Sequence, residues 1–255
     1  AAAPSSRWLT CLGTCRRGET EVPRTAVAGR WITVALVAVS MQGCGSEPLE
    51  REPWIDRPID EWPHIAMTNQ VTFKGQSYDR LGNSFLVVSR SDTFAVTVKH
   101  TFLAFRQIGL ETIDLGEDFV SWRVYPKGHP DRDMLLGELV NADPKEKTGE
   151  FRTLKVRDWI LFRLKESCPD IRPLRIRERP VEPDEIVTAV GWARAQETAN
   201  PTLIRMKVYR NPGPYFYVQT LTQGQDPAGR SGSPVIDENG HLVGIVSGAE
   251  GRLGV

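Results

Sequence analysis

The feature that most constrains the fold is a series of roughly ten short apolar runs, each rich in β-branched and aromatic residues and bounded by turn residues. Between these runs no segment sustains a helical period for long. Many short strands joined by loops of moderate length favour an all-β sandwich or barrel. The charged segment 110–150 is expected to be a surface insertion with one short strand. The predicted strands are 71–73, 84–89, 94–98, 119–125, 159–164, 186–192, 203–209, 215–221, 234–237 and 242–247.

The charge pattern argues against a nucleic-acid partner. Lysines and arginines number 32 and aspartates and glutamates also number 32, and no basic stripe interleaves with aromatic residues. The four histidines are scattered singly, and no H-E-x-x-H motif occurs. Cys11 and Cys15 lack the second ligand pair that a zinc site needs. We therefore expect neither a metal nor another cofactor.

The N-terminal segment, residues 1–43, is predicted to be a signal or an over-extended reading frame. Positive charge precedes the apolar run Trp31–Met41, which is too short to span a membrane as a helix but suits the core of a secretory signal. The following Met-Gln-Gly-Cys resembles a bacterial lipoprotein signal, which implies lipidation of Cys44 and a membrane tether. This interpretation predicts an exported protein of the periplasm or cell envelope. The alternative is a buried strand that ends in an incidental cysteine.

The remaining chain divides by composition into two parts. Residues 44–69 are rich in proline and charge, and are predicted to form a linker, a tether or an extended arm. Residues 70–255 are predicted to form the globular domain. After Cys44 only Cys168 remains, so this domain has no internal disulfide and must be stabilised by packing.

Two polar residues, His100 and Asp158, stand where a reactive side chain would be held rigidly yet stay accessible. His100 follows an alternating strand in FAVTVKHTF, at the point where the apolar character ends. Asp158 opens the strand in VRDWILFRL, at a position where its carboxylate would sit at a barrel rim. Alone, each has an ordinary structural explanation, as a core histidine or a turn residue.

Ser231 lies in the glycine-rich turn of AGRSGSPVIDENGHLVGIVSG. A serine nucleophile needs an exposed hydroxyl on a tight turn and backbone N–H groups directed at the developing oxyanion. The amides of Gly229 and Ser231 would converge on one point. The G-x-S-x-G elbow of α/β-hydrolases is excluded, because it needs a glycine at Ser233 and because the 24 residues after Ser231 leave no room for the part of that fold that carries its acid and histidine.

The motifs AVTVKH, DWILFRL and GRSGSPV, in this order, resemble the trypsin-like serine peptidase family of bacterial type over about residues 70–255. The resemblance implies two antiparallel six-stranded β-barrels, about 70–170 and 171–255, with the active site in the cleft between them. It also implies that His100 is the base, Asp158 its orienting carboxylate and Ser231 the nucleophile.

The resemblance extends to a substrate pocket. Gln225, Ser247 and Gly248 would line it, and Ser247 would also support Asp158. The sequence departs from the family in Arg230, whose side chain we expect to bias which substrates approach, and in Ser233, where glycine is most common. The family's last strand would lie beyond Val255, so the C-terminus is expected to be truncated.

The function implied is that of a serine endopeptidase acting on proteins or peptides through a covalent acyl-enzyme. Two alternatives stay open. One is an inactive trypsin-like pseudo-peptidase that serves as an anchored peptide-binding or protein-binding module. The other is a peptidase that works with a separate regulatory peptide-binding domain. The sequence does not define the oligomeric state.

Overall fold

The computed structural model describes residues 31–35, 50–141, 143, 145–147, 157–165, 169–226 and 228–248, with only the backbone for 31–35. All its principal elements are β-strands, apart from three 3₁₀ helices. These are Ile59–Glu61, Lys99–Ile108 and Pro130–Arg132.

The first sheet curls into a ring. Its strands follow the order β2-β5-β6-β7-β4-β3, and a further pairing between β2 and β3 closes the ring. These neighbours are antiparallel, whereas the short β8 pairs parallel to β3. The strands are β2 Met67–Phe73, β3 Gln76–Ser89, β4 Asp92–Thr97, β5 Phe119–Tyr125, β6 Met134–Leu139, β7 Ile160–Leu164 and β8 Leu174–Arg175.

The second sheet is a closed six-stranded antiparallel barrel in the order β1-β11-β10-β9-β12-β13. The prediction of an all-β fold built from two antiparallel barrels is confirmed. The strands are β1 Trp31–Ala35, β9 Ile186–Gly191, β10 Thr202–Arg210, β11 Tyr215–Thr220, β12 Pro234–Ile236 and β13 Leu242–Gly248.

The strand β1 takes up the first half of the apolar run that suits a secretory signal. It pairs with β11 from Trp31 opposite Gln219 to Ala35 opposite Tyr215, and with β13 on its other side. These five residues therefore form a strand, as the alternative to a secretory signal expects for this run. Cys44 lies outside the described residues, and export and lipidation stay predictions.

Aromatic side chains fill the first barrel, where their rings pack in tilted and edge-to-face pairs. The rings of Trp122 and Phe162 are tilted with their centres 4.8 Å apart, and those of Phe73 and Phe105 meet edge to face at 5.0 Å. The second barrel has an aliphatic core that includes Ile204 and Val218. The two cores are separate from a third cluster that joins the barrels.

This third cluster fixes the cleft between the barrels. Phe85 and Val96 come from the first barrel, Trp192 and Ile245 from the second, and Trp54 from the N-terminal arm, residues 50–66. All are buried, so the two barrels share one apolar interface and form a rigid support for loops at its edge.

The described part of segment 44–69 is a packed arm and not a free tether. Its Trp54 and Ile65 are buried, and the Glu52 carboxylate accepts hydrogen bonds from the Trp54 indole and from Arg172. The backbone N–H of Glu52 also donates to Asn239 O at 2.9 Å, in the hairpin turn between β12 and β13.

Candidate active site

His100 is the second residue of the 3₁₀ helix that follows β4. Its side chain is 28% exposed at the cleft, and its Nδ1 lies 2.6 Å from Asp158 Oδ2. When Nδ1–H donates to the carboxylate, the neutral ring carries its lone pair on Nε2, which is the nitrogen able to take a proton.

Asp158 lies two residues before β7, and its side chain is only 2% exposed. One carboxylate oxygen accepts the backbone N–H of His100 at 2.8 Å, while the other contacts the His100 ring and the hydroxyl of Ser247. Three hydrogen-bond partners therefore fix the position of this buried carboxylate and satisfy its oxygens.

Ser247, near the end of β13, connects the carboxylate with the glycine-rich turn. Its hydroxyl donates to Asp158 Oδ2, and its carbonyl accepts the hydroxyl of Ser231 at 3.4 Å. The structure therefore brings His100, Asp158 and Ser231 together, in contact with one another or with Ser247. Within the described residues the Ser231 hydroxyl makes no hydrogen bond to the His100 ring.

The turn that carries Ser231 needs glycine on both sides of the serine. Gly229 and Gly232 have φ angles of 82° and 85°, in the region that side chains disfavour. Space is also limiting, since a Cβ on Gly229 would lie 2.8 Å from Arg194 Cα. The sequence pattern of small residues is thus explained by backbone geometry and close packing.

Two amides of this turn are available as donors. Neither Gly229 N nor Ser231 N has an acceptor within the part of the chain that the structure describes. The Ala228 carbonyl accepts Arg194 N at 2.8 Å, and because C=O and N–H point oppositely in a trans peptide, the Gly229 N–H faces away from Arg194. Backbone amides without acceptors are the kind of donor from which an oxyanion hole is built.

The Arg230 side chain points into the protein, which contradicts the expectation that it biases substrates directly. Arg230 is 2% exposed, and its guanidinium donates to the carbonyls of Gly191 and Asp226 and to the side chain of Gln225. Burial lowers the pKa of Arg230 from its ordinary value. The residue before Ser231 thus fastens the turn to the end of β9.

A comparison with protein families identifies the family of this chain. The family model of the trypsin-like peptidase domain matches residues 83–245, more than half of the chain. The chain belongs to the trypsin-like peptidase family.

Two similar solved structures are crystal structures of the Rv3671c protease from M. tuberculosis. The active form is 16% identical with a TM-score of 0.45, covering 81% of this chain and 82% of that one. The inactive form is 15% identical with a TM-score of 0.45, covering 78% and 86%. No curated protein matches the chain.

The predicted pocket residues of this trypsin-like peptidase domain fall in two places. Ser247 and Gly248 end β13 and are partly exposed. Gln225 lies in the loop before the turn, where its Oε1 accepts Arg230 at 3.1 Å. The side chain of Gln225 is therefore already engaged with the turn.

Sequence reasoning missed two residues that hold the turn. Arg194 contributes its backbone amide, and because every non-proline residue has one, the sequence cannot indicate this contact. Asn83 contributes a buried carboxamide from the first barrel. Asn83 stands directly before the predicted strand 84–89, among mixed polar and apolar residues, so its local sequence carries no signal of this role.

The described residues contain no group of three or more histidines, cysteines, aspartates or glutamates that could hold a metal ion. Among these same residues, no helix has the length and apolar character needed to cross a membrane.

Proposed function

We propose that the protein is a serine endopeptidase that cleaves proteins or peptides through a covalent acyl-enzyme. The observation that carries this proposal is the connected set of His100, Asp158, Ser247 and Ser231 beside two amides that lack acceptors among the described residues. A purely structural histidine and turn aspartate would not explain why these side chains are connected to Ser231 and to each other.

In the first half of the reaction, Ser231 Oγ attacks the substrate carbonyl carbon while His100 Nε2 takes the hydroxyl proton. The amides of Gly229 and Ser231 bind the oxyanion. The C–N bond then breaks, His100 gives its proton to the leaving amine, and an ester of Ser231 remains. Asp158 keeps the proton of Nδ1 in place and stabilises the imidazolium.

Water completes the cycle by the same route. His100 takes a proton from water as the water oxygen attacks the ester carbonyl, and it returns a proton to Ser231 Oγ as the C–O bond breaks. The hydroxyl of Ser231 must exchange its long bond to Ser247 O for one to His100 Nε2 before attack. Such bonds in free enzymes are often long and tighten when substrate binds.

Hydrolysis of unfolded casein and of mixed fluorogenic peptides by the full chain tests this function. We expect Ser231→Ala and His100→Ala to lower the rate by at least about 10³-fold. Ser233→Ala is the matched control, since the Ser233 hydroxyl is buried and has no partner among the described residues. Equal activity in wild type and Ser231→Ala would refute the assignment, and a folded but inactive wild type would favour the pseudo-peptidase.

Lipidation of Cys44 requires cleavage just before that residue, which would remove Trp31–Ala35 and with them β1. A lipidated mature protein and the six-stranded barrel with β1 therefore exclude one another. Intact mass of the protein from a bacterial host grown with an alkyne fatty acid distinguishes them. A labelled species starting at Cys44 supports lipidation, whereas an unlabelled species that retains Trp31 rejects it.

A further inference from the structure

The side chain of Asn83 crosses from the first barrel to the turn that carries Ser231. Asn83 lies in β3 and is 1% exposed. Its Nδ2 donates to Gly229 O at 2.9 Å and to Trp192 O at 3.1 Å, and its Oδ1 accepts Trp192 N at 3.0 Å. Both ends of the carboxamide are therefore occupied by backbone groups of the second barrel.

The backbone of Asn83 adds two more contacts. Its N–H donates to Ser231 O at 2.7 Å, and its carbonyl accepts the hydroxyl of Thr97 at 2.8 Å. Thr97 ends β4, one strand away in the first barrel. The backbone of Asn83 is thus held within the first barrel, so its side chain is a fixed hydrogen-bond donor for the turn.

The contacts with the turn form a consistent set. Three successive carbonyls have donors: Ala228 O accepts Arg194 N, Gly229 O accepts Asn83 Nδ2, and Arg230 O accepts Ser233 N. These hydrogen bonds fix the peptide planes. Because N–H and C=O point oppositely in a trans peptide, the N–H groups of Gly229 and Ser231 stay directed away from the donors Arg194 N and Ser233 N.

Asn83 supplies the only one of these three donors that is a side chain, and it acts at the most flexible point. Gly229 has a positive φ and no side chain, so rotation of its adjoining peptides meets little local resistance. The carboxamide that holds Gly229 O also holds Trp192, two residues before the amide that holds Ala228 O.

We propose that Asn83 is a positioning residue that keeps the Gly229 and Ser231 amides in their donor orientation before substrate arrives. This inference rests on the proposed function, in which those amides bind the oxyanion. Asn83 touches neither the substrate nor the reacting atoms. Its removal should therefore impair the chemical step more than substrate binding.

The test compares Asn83→Ala and Asn83→Ser with Asn69→Ala in the full chain. Asn69 is the matched control, because it is also a fully buried asparagine of the first barrel, but its carboxamide contacts Leu81, Thr97 and Trp122 within that barrel. kcat and KM for peptide hydrolysis are measured with the Tm of each variant. Crystal structures of wild type and both Asn83 variants give the orientation of the 228–229 peptide.

We expect both Asn83 variants to lower kcat by about ten- to a hundred-fold with KM within about two-fold, somewhat less than the loss of an oxyanion donor outright. Asn69→Ala should lower Tm by about as much as Asn83→Ala does, while its kcat stays close to that of wild type. Equal kcat losses in Asn83 and Asn69 variants, or an unchanged kcat in the Asn83 variants, would overturn the inference.

Failure of the proposed function has a different signature. If folded wild type does not hydrolyse peptides, the function is wrong, and the crystal structures still decide the role of Asn83. Loss of the bond between Ala228 O and Arg194 N in the Asn83 variants supports positioning, whereas an unchanged peptide orientation rejects it.

Discussion

Replacing Gly232 with alanine should test how tightly the Ser231 turn is pressed against the first barrel. A Cβ at this position would overlap the carbonyl oxygen of Asn83 and lie 2.8 Å from its carbon and 3.1 Å from Thr97 Oγ1. The φ of 85° costs alanine about 1–2 kcal/mol. Overpacking against immobile backbone adds about 1–3 kcal/mol.

The expected loss in the free energy of unfolding is therefore about 2–5 kcal/mol, which lowers Tm by about 4–20 °C in a domain of this size. Gly75→Ala is the matched control, since Gly75 has a φ of 81° and no atom within 4 Å of the added Cβ. It carries the conformational strain alone and should lower Tm by about 2–8 °C.

The assay is thermal unfolding of both variants beside wild type, followed by peptide hydrolysis at a temperature where all three are folded. Hydrolysis should fall in Gly232→Ala only, because relief of the overlap moves Ser231 or Asn83. The close-packing explanation is refuted if the two variants lose equal Tm, or if Gly232→Ala keeps full activity.

Three further perturbations have effects of predictable direction. Arg230→Met should cost about 1–3 kcal/mol of unfolding free energy in urea titration, because the buried bond to Gly191 O and the part-buried bond to Asp226 O lose their donor, and unchanged stability would contradict the anchoring role. Burial, and then the charge of Arg132, lower the pKa of His64, so the unfolded state binds the proton more readily and stability should fall as the pH drops through about 6.5. His64→Gln should flatten the dependence of Tm on pH in that range, and a slope equal to wild type would exclude His64 as its source. Ser247→Ala removes a donor to Asp158 and should lower kcat by about ten-fold or more with little change in KM, whereas an unchanged kcat would show that Asp158 is held without it.

Sequence patterns predicted most strands, because those strands are rich in β-branched and aromatic residues. The strand β6, Met134–Leu139, is absent from the predicted strands, since its MLLGEL sequence has no β-branched residue. Pairing with β5 and β7 determines its conformation. The 3₁₀ helix Lys99–Ile108 was missed for a similar reason, because its tertiary packing through Phe102 and Phe105 outweighs a weak local signal.

The candidate site was predictable where chemistry and chain order coincide, as in His100, Asp158 and Ser231. It was not predictable where contacts over long separations decide the role. Arg230 looks like an exposed charge in a turn until the fold places Gly191 O beside it. Asn83 meets Trp192 across 109 positions of the chain, a relation that local sequence does not encode.

The most direct test of Ser231 as the nucleophile is covalent labelling of the full chain with a fluorophosphonate, followed by peptide mapping of the adduct. Wild type, Ser231→Ala and Ser233→Ala are compared under conditions in which each is folded. We expect one adduct per chain on Ser231, retained in Ser233→Ala and lost in Ser231→Ala, because only an activated serine beside a base reacts readily. No adduct on a folded wild type, or an adduct that survives Ser231→Ala, would contradict the assignment of Ser231 as the nucleophile.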